Sequence, residues 1–261
     1  MYQYPPKERY TTDDLRAIIR ILRTPNGCPW DREQTHESIR KNLIEECYEA
    51  LEAINRADNT LLAEELGDVL LQVYLHAQIA EDEAAFTFED VADGICKKLI
   101  LRHPHVFGDM SAATGDEALA NWDAVKRKSK GQAPGSAPML DIPREFPALM
   151  RAQKVQTKAR MAGMDFPDLS ACIAELREEM DELRQAVQSN NPSAVAEKLG
   201  DLLFSAVNVA RFAELDAEET LTAATEKFIN QFIKLEQSLD NLMMQHSQNE
   251  LNTLWKKIKY A

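Results

Sequence analysis

Two stretches of the chain place apolar residues at helical spacing, and both carry acids inside the apolar pattern. Between residues 43 and 54, Leu43, Ile44, Cys47, Tyr48, Leu51 and Ile54 trace an apolar arc, with Glu46 near its edge, flanked by the small Ala50 and Ala53. Such an arc must pack against something. Between residues 62 and 74, Leu62, Leu66, Val69, Leu70, Leu71, Val73 and Tyr74 cover nearly the whole circumference, leaving a narrow stripe of Glu65, Asp68 and Gln72. A helix apolar almost all round is expected to be buried. The link from Asn55 to Thr60 is short, so the two helices should fold back antiparallel and set Glu46 and Glu49 opposite Glu65 and Asp68. An uncompensated buried carboxylate costs several kcal/mol or shifts its pKa, so four converging acids call for a cation. Oxygen-only ligands favour Mg²⁺, or Mn²⁺, over zinc, and Mg²⁺ on carboxylates commonly serves a phosphate substrate. Di-iron bundles use Glu-x-x-His pairs, and here the i+3 partners are Glu49 and Asp68.

The flanking pattern is helical as well. Thr12-Asp-Asp starts a helix by capping chemistry, with Leu15, Ile18, Ile19 and Leu22 at helical spacing, and the segment from Thr24 to Asp31 breaks it. Trp30 in that break is expected either to plug the loop against the bundle or to stack on a base. Thr87-Phe-Glu-Asp opens a further helix, on which Lys98 and Arg102 lie four apart on one face, suited to gripping phosphate oxygens; alone, such a pair is ordinary surface charge. His103-Pro-His105 ends it, a helix-end or phosphate contact rather than a zinc site, for no third ligand has a suitable spacing.

The pattern then returns. Glu178-Glu-Met-Asp-Glu182 repeats Glu45-Glu-Cys-Tyr-Glu49, Leu199-Gly-Asp repeats Leu66-Gly-Asp, and Trp255 to Lys259 repeats Trp122 to Lys126. The offsets 178 − 45, 201 − 68 and 255 − 122 are all 133, which indicates an internal duplication. The expected fold is all-α, with two tandem helical-bundle domains at residues 1–126 and 140–261 and a Gly/Pro/Ser-rich linker at 127–139. The copies differ in their chemistry. Lys198 stands where the first copy has Glu65, which puts a cation in place of a ligand; Glu197 could substitute but points about 100° away around the helix. Lys98 and Arg102 correspond to Lys227 and Gln231. A weakened second site is expected, built from Glu178, Glu179, Glu182, Glu197 and Asp201. Trp122 and Trp255, with the associated Lys126 and Lys259, are either core anchors or substrate-stacking lids.

With 261 residues and a net charge of −13, the chain is too acidic for a nucleic-acid backbone partner, although a nucleotide can bind locally through Mg²⁺. Cys28, Cys47, Cys96 and Cys172 show no C-x-x-C pairing and read as reduced core thiols of a cytoplasmic protein. No segment reaches the roughly 18 apolar residues a membrane span needs, and the N-terminus has no apolar run of the export type.

At these residues the chain resembles the MazG family of nucleoside triphosphate pyrophosphohydrolases. The resemblance rests on Gly27-Cys-Pro-Trp-Asp, the two acid motifs, Arg102-His-Pro-His-Val-Phe and the segment Asp141-Ile-Pro-Arg-Glu-Phe-Pro, and it covers nearly the whole chain. It implies Mg²⁺-dependent cleavage of NTPs and dNTPs between the α- and β-phosphates, giving a monophosphate and pyrophosphate, in a homodimer. On that reading Glu46, Glu49, Glu65 and Asp68 hold the metal, Glu45 takes a proton from water, and Lys98 and Arg102 balance phosphate charge. The alternatives are a nucleotide-binding regulatory module without turnover and a helical interaction module whose acids only solubilise it.

Overall fold

The computed structural model describes residues 4–129, 139–239 and 246–259, and helices are the only extended elements among them. The chain divides into two compact units, Met1–Ser129 and Lys130–Ala261. In the first, α1 (Thr12–Leu22), α2 (Pro29–Glu33), α3 (Arg40–Asn55), α4 (Asn59–Asp82), α5 (Phe88–Arg102), α6 (Pro104–Phe107) and α7 (Gly115–Ser129) follow in order. In the second, a 3-10 turn (Met139–Asp141) leads into α8 (Ala148–Met161), α9 (Leu169–Gln188), α10 (Pro192–Phe212), α11 (Ala217–Ser238) and α12 (Gln248–Lys259). Helix α7 runs three residues into the stretch read as linker; 130–138 lie outside the described residues.

Each unit is organised around one antiparallel helix pair, α3 with α4 and α9 with α10. The turn chemistry that makes each hairpin is the same. Asp58 and Asn191, 133 apart, are the N-caps of α4 and α10, each accepting from two backbone N–H groups of the first turn. Just before them Ala57 and Asn190, again 133 apart, take the left-handed conformation (both φ 51°) that ends the preceding helix. Ala84 (φ 56°) and Glu214 (φ 58°) do the same after α4 and α10, now 130 apart because α4 has 24 residues and α10 has 21. The following N-caps, Thr87 and Asp216, are 129 apart, which sets Lys98 and Arg102 in register with Lys227 and Gln231.

In the first unit α1 and α5 both pack on α4. Thr11 and Asp14 form the capping box of α1, one residue ahead of the start expected from the sequence. Ile19, Ile39, Tyr74, Leu75 and Ile79 form the core, with Tyr74 stacked on Phe88 of α5 at 4.0 Å. Gly27 allows the chain to turn back onto α1: a Cβ there would lie 2.3 Å from the carbonyl oxygens of Ile21 and Leu22. Arg23 then ties this corner together, with Nε 2.7 Å from Asp82 and a guanidinium N–H donated to the Gln34 carbonyl at 3.1 Å.

The burial differs from the sequence expectation in a specific way. On α3 the buried residues are Ala50 and Ala53, not the apolar arc; Ala53 is fully buried against α4, while Tyr48 is 54% exposed and Ile44, Leu51 and Ile54 are about as open. Small side chains let α3 and α4 approach closely, and that turns the arc outward. Helix α4 is buried only over its second half, Gln72 to Ala80, and Leu66 and Leu70 are exposed. Trp30 is 58% exposed on α2 and plugs nothing within its unit. Of the cysteines, all free thiols, Cys172 alone is buried; Cys28 is half-buried and Cys47 and Cys96 are exposed, so the core reading holds for Cys172 only.

Candidate metal and nucleotide site

The α3–α4 hairpin brings Glu65 to Glu46 and Glu49. Glu46, Glu49 and Glu65 each offer a carboxylate oxygen, and these oxygens all lie within 4.8 Å of one another. Glu46 and Glu65 are half-buried and Glu49 is exposed. Asp68, one turn further along α4, is outside that set, but its charge is felt at both Glu46 and Glu65. Burial first, then the Asp68 and Glu49 charges, raise the Glu46 pKa, while a hydrogen bond from the Gln72 amide opposes the rise. Burial, the Glu49 charge and a hydrogen bond to Glu49 raise that of Glu65. Carboxylates held at this separation repel one another, and an oxygen-seeking divalent cation is the counter-charge such a donor set fits. Glu45 is exposed and outside the set.

The cationic side is organised by Trp122. The Arg102 guanidinium lies over its indole ring at 5.1 Å and the Lys126 ammonium at 4.8 Å. Trp122 is therefore engaged by two cations, which places it as a support for them. Arg102 is half-buried, and its Nε is buried with no hydrogen-bond partner. Lys98, one turn earlier on α5, is exposed and makes no ion pair among the described residues, whereas neighbouring Lys97 is held by Asp93 at 2.6 Å. His103 Nδ1 lies 2.7 Å from the Leu99 carbonyl, and His103 and His105 rings tilt together at 5.6 Å, which makes them helix-end groups.

The second copy arranges the same positions differently. Lys198 Nζ lies 2.6 Å from Glu182 and 3.3 Å from Asp201, so the lysine itself supplies the positive charge between the two helices. Those carboxylates hold its pKa above the ordinary lysine range. Glu179, half-buried, has its pKa raised by burial and by the charges of Asp201 and Glu182. Glu178 and Glu197 are exposed, as is Lys227. Trp255 packs on Phe228 at 5.1 Å, an aromatic contact in place of the cation support seen at Trp122. Lys259 is exposed at the end of α12.

Three residues next to the first site escaped the sequence reading as functional candidates. Gln72 is 6% exposed and tempers the rise in the Glu46 pKa, with its Oε1 unpartnered. One turn on, His76 stacks on His36 with the two Nδ1 atoms 2.8 Å apart, and burial lowers its pKa. The signal was present for Gln72, which continues the Glu65–Asp68 stripe; His36 comes from a separate segment and only the fold brings it there.

Comparison with known proteins agrees with this geometry. The sequence profile of the MazG nucleotide pyrophosphohydrolase domain matches residues 34–107 and again 168–234. The chain is 42% identical to the nucleoside triphosphate pyrophosphohydrolase/pyrophosphatase MazG of Thermotoga maritima over 95% of both chains. It is 41% identical to the nucleoside triphosphate pyrophosphohydrolase of Escherichia coli K12, over 95% of this chain and 96% of that one. It is also 44% identical to the uncharacterized protein YabN of Bacillus subtilis, over 94% of this chain and 51% of that protein. Two domain matches on two copies of one helical hairpin, and two pyrophosphohydrolases at 41–42% identity over at least 95% of both chains, make this chain a tandem member of the MazG nucleotide pyrophosphohydrolase family.

Proposed function

We propose that the chain hydrolyses nucleoside triphosphates, both NTPs and dNTPs, between the α- and β-phosphates to a monophosphate and pyrophosphate, and that its first copy does the work. The relatives' names support the reaction class, and the observation that carries the assignment is the contrast between the hairpins: three carboxylates converge in the first, and a lysine sits among them in the second. Glu46, Glu49, Glu65 and Asp68 would hold Mg²⁺, or Mn²⁺ in its place. When bound, the ion neutralises the triphosphate and lowers the pKa of a coordinated water.

The chain's own groups do the rest. Glu45, the exposed neighbour of Glu46 in sequence, would accept the proton of the attacking water on this reading. Lys98 and Arg102 face phosphate charge, and Trp122 with Lys126 keeps the Arg102 guanidinium in one orientation. Gln72 favours the ionised form of Glu46, the form that would bind the metal. Trp255, Lys227 and Lys259 belong to the second copy and take a structural role on this reading. The exposed arc of Ile44, Tyr48, Leu51 and Ile54 supports a homodimer, since a patch of this kind on a folded chain is a contact surface. A nucleic-acid or membrane partner has no support: the net charge is −13, and no helix among the described residues is long and apolar enough to cross a membrane. Residence in the cytoplasm, where the triphosphates are made and used, accords with this function. The test is ion-exchange separation of products after incubation with Mg²⁺ and each NTP and dNTP in turn. Monophosphate with pyrophosphate is the expected pair; diphosphate with orthophosphate, or unchanged substrate, would overturn the reading.

A further inference from the structure

The hairpin that carries the first carboxylate set is joined at one end by the short link between α3 and α4 and, at its other end, by two histidines. His36 lies in the turn before α3, and His76 lies on the face of α4 that continues the stripe of Glu65, Asp68 and Gln72. The rings are parallel within 6°, with centroids 5.1 Å apart and Nδ1 atoms 2.8 Å apart. Atoms of rings in face-to-face contact stay roughly 3.5 Å apart, so these rings meet at their edges, nitrogen to nitrogen. That contact is a hydrogen bond and needs one proton, with one Nδ1 donating and the other accepting.

A neutral pair and a singly protonated pair both keep this bond. A doubly protonated pair loses it, because two N–H groups and two like charges then face each other. His76 Nε2 is buried without a partner, and burial, then the charge of His36, lowers the His76 pKa. The second proton therefore enters below the ordinary histidine range. No other charge acts on His76, whose neighbours one turn away on α4 are Gln72, Val73, Ile79 and Ala80. On the two helices packed against α4, Arg20 and Arg23 of α1 are held by Glu81 and Asp82, and Glu89 and Asp90 of α5 by Arg16 and Thr87. On the side of His36 the charged groups are Glu37, whose carboxylate feels the imidazole, then Arg40, and Arg23, which reaches the Gln34 carbonyl.

This pair belongs to the copy with the carboxylate set. Thr35 and Asp168, 133 apart, each accept a backbone N–H from three residues on, Ser38 at 3.2 Å and Ala171 at 2.8 Å, so the two turns are in register. The positions matching His36 and His76 are then Leu169 and Val209, which take no proton.

We propose that His36 and His76 are positioning residues for the metal site, a proton-operated clasp that holds the open end of the α3–α4 hairpin and releases it when both rings are protonated. The proposal rests on the reading that Glu46, Glu49 and Glu65 take Mg²⁺. Along α4 the clasp stands about 16 Å from Glu65, so it acts through the placement of the helices and not by contact. The carboxylates repel one another, and release of the clasp frees α3 to draw back from α4, which holds their oxygens less closely. Ile39 stays in the core, so release loosens the hairpin without unfolding it. Mg²⁺ and the second proton oppose each other, and the opposition is reciprocal.

The test is NMR of the full chain with isotope-labelled histidine, titrated against pH with and without Mg²⁺. The double variant His36→Leu/His76→Val, which installs the second copy's residues, assigns the pair among the five histidines; if it does not fold, His36→Asn assigns it instead. In the neutral pair one ring is expected as the Nδ1–H tautomer and the other as Nε2–H; two Nε2–H rings overturn the proposal. Saturating Mg²⁺ should move the lower titration step of the pair down by about one pH unit, which is a tenfold coupling. By calorimetry, the Mg²⁺ affinity of the wild-type chain should fall about tenfold more, between neutral pH and a pH below that step, than that of the double variant, in which Glu46 and Glu65 still protonate. A lower step that Mg²⁺ does not move, or equal losses of affinity in the two chains, overturns the clasp while leaving the metal reading in place. A wild-type chain that binds no Mg²⁺ at neutral pH fails the metal reading itself and removes the coupling with it.

Discussion

Lys198 reaches from α10 to place its Nζ 2.6 Å from Glu182 of α9, where the first copy sets Glu65 against Glu49. One hairpin is thus held together at this point by an internal ion pair, and the other is pushed apart by like charges. Lys198→Glu should convert the second hairpin into the first: melting temperature without metal falls, and calorimetric titration with Mg²⁺ shows an additional binding event. If the substitution adds no metal binding, the lysine is not what distinguishes the copies.

The opposite change applies to the first copy. Glu49→Gln removes one member of the crowded set, so the metal-free melting temperature should rise while its increase on adding Mg²⁺ largely disappears. Turnover should fall by roughly 100-fold or more, the scale on which losing metal stabilisation of the transition state acts. Differential scanning calorimetry with and without Mg²⁺, beside a turnover assay, reads all three.

Acidity gives a further handle. Glu46 and Glu65 have raised pKa values in the folded chain, so their ionisation costs folded-state stability. That cost is absent below the ordinary carboxylate range and is incurred as pH rises through the folded pKa values. Metal-free protein should therefore melt higher just above the ordinary Glu range than at neutral pH. At lower pH the trend reverses, because Asp14 and Asp165 have lowered pKa values and their contribution is lost as they protonate. The stabilisation by Mg²⁺ should shrink on the same acidification that protonates Glu46 and Glu65. Melting curves between neutral and weakly acid pH, with Mg²⁺ or EDTA, decide it; a Mg²⁺ effect that grows on acidification would contradict it.

Trp122 carries Arg102 and Lys126 on its ring, an interaction of about 0.5–1 kcal/mol for each cation. Trp122→Leu should therefore raise KM by roughly 3–10-fold through a less ordered Arg102, with a smaller change for Trp122→Phe. Trp255→Leu should lower melting temperature and leave KM alone, since Trp255 touches Phe228 instead. Steady-state kinetics on the three variants separate a supporting role from a base-stacking one.

Much of the fold was legible because it is written locally. Thr87 and Asp58 are capping residues, the link at 55–60 is too short for anything but a hairpin, and the offset of 133 repeats the whole arrangement. The convergence of Glu46, Glu49 and Glu65 was legible for the same reason, since Glu-x-x-Glu fixes its own face; Asp68 lies outside their cluster. Which apolar face is covered was not. Periodicity identifies the arc of Ile44, Tyr48, Leu51 and Ile54, but the choice of Ala50 and Ala53 as the face against α4 depends on how closely two helices can approach. The His36–His76 contact was likewise hidden, because it joins residues from separate segments.

The open arc makes its own prediction. Leu51→Glu puts a charge in the centre of the exposed apolar face, so a dimer formed through α3 should become a monomer by light scattering while keeping its helical content. A wild-type chain that is already monomeric, or a dimer unaffected by the charge, would place the contact elsewhere.

The most direct measurement compares pyrophosphate release from an NTP with Mg²⁺ by Glu49→Gln and by Glu182→Gln, each confirmed as folded. The account predicts that Glu49→Gln loses pyrophosphate release and that Glu182→Gln retains close to the wild-type rate. Loss in Glu182→Gln with retention in Glu49→Gln would move the hydrolytic centre to the second copy and contradict the account.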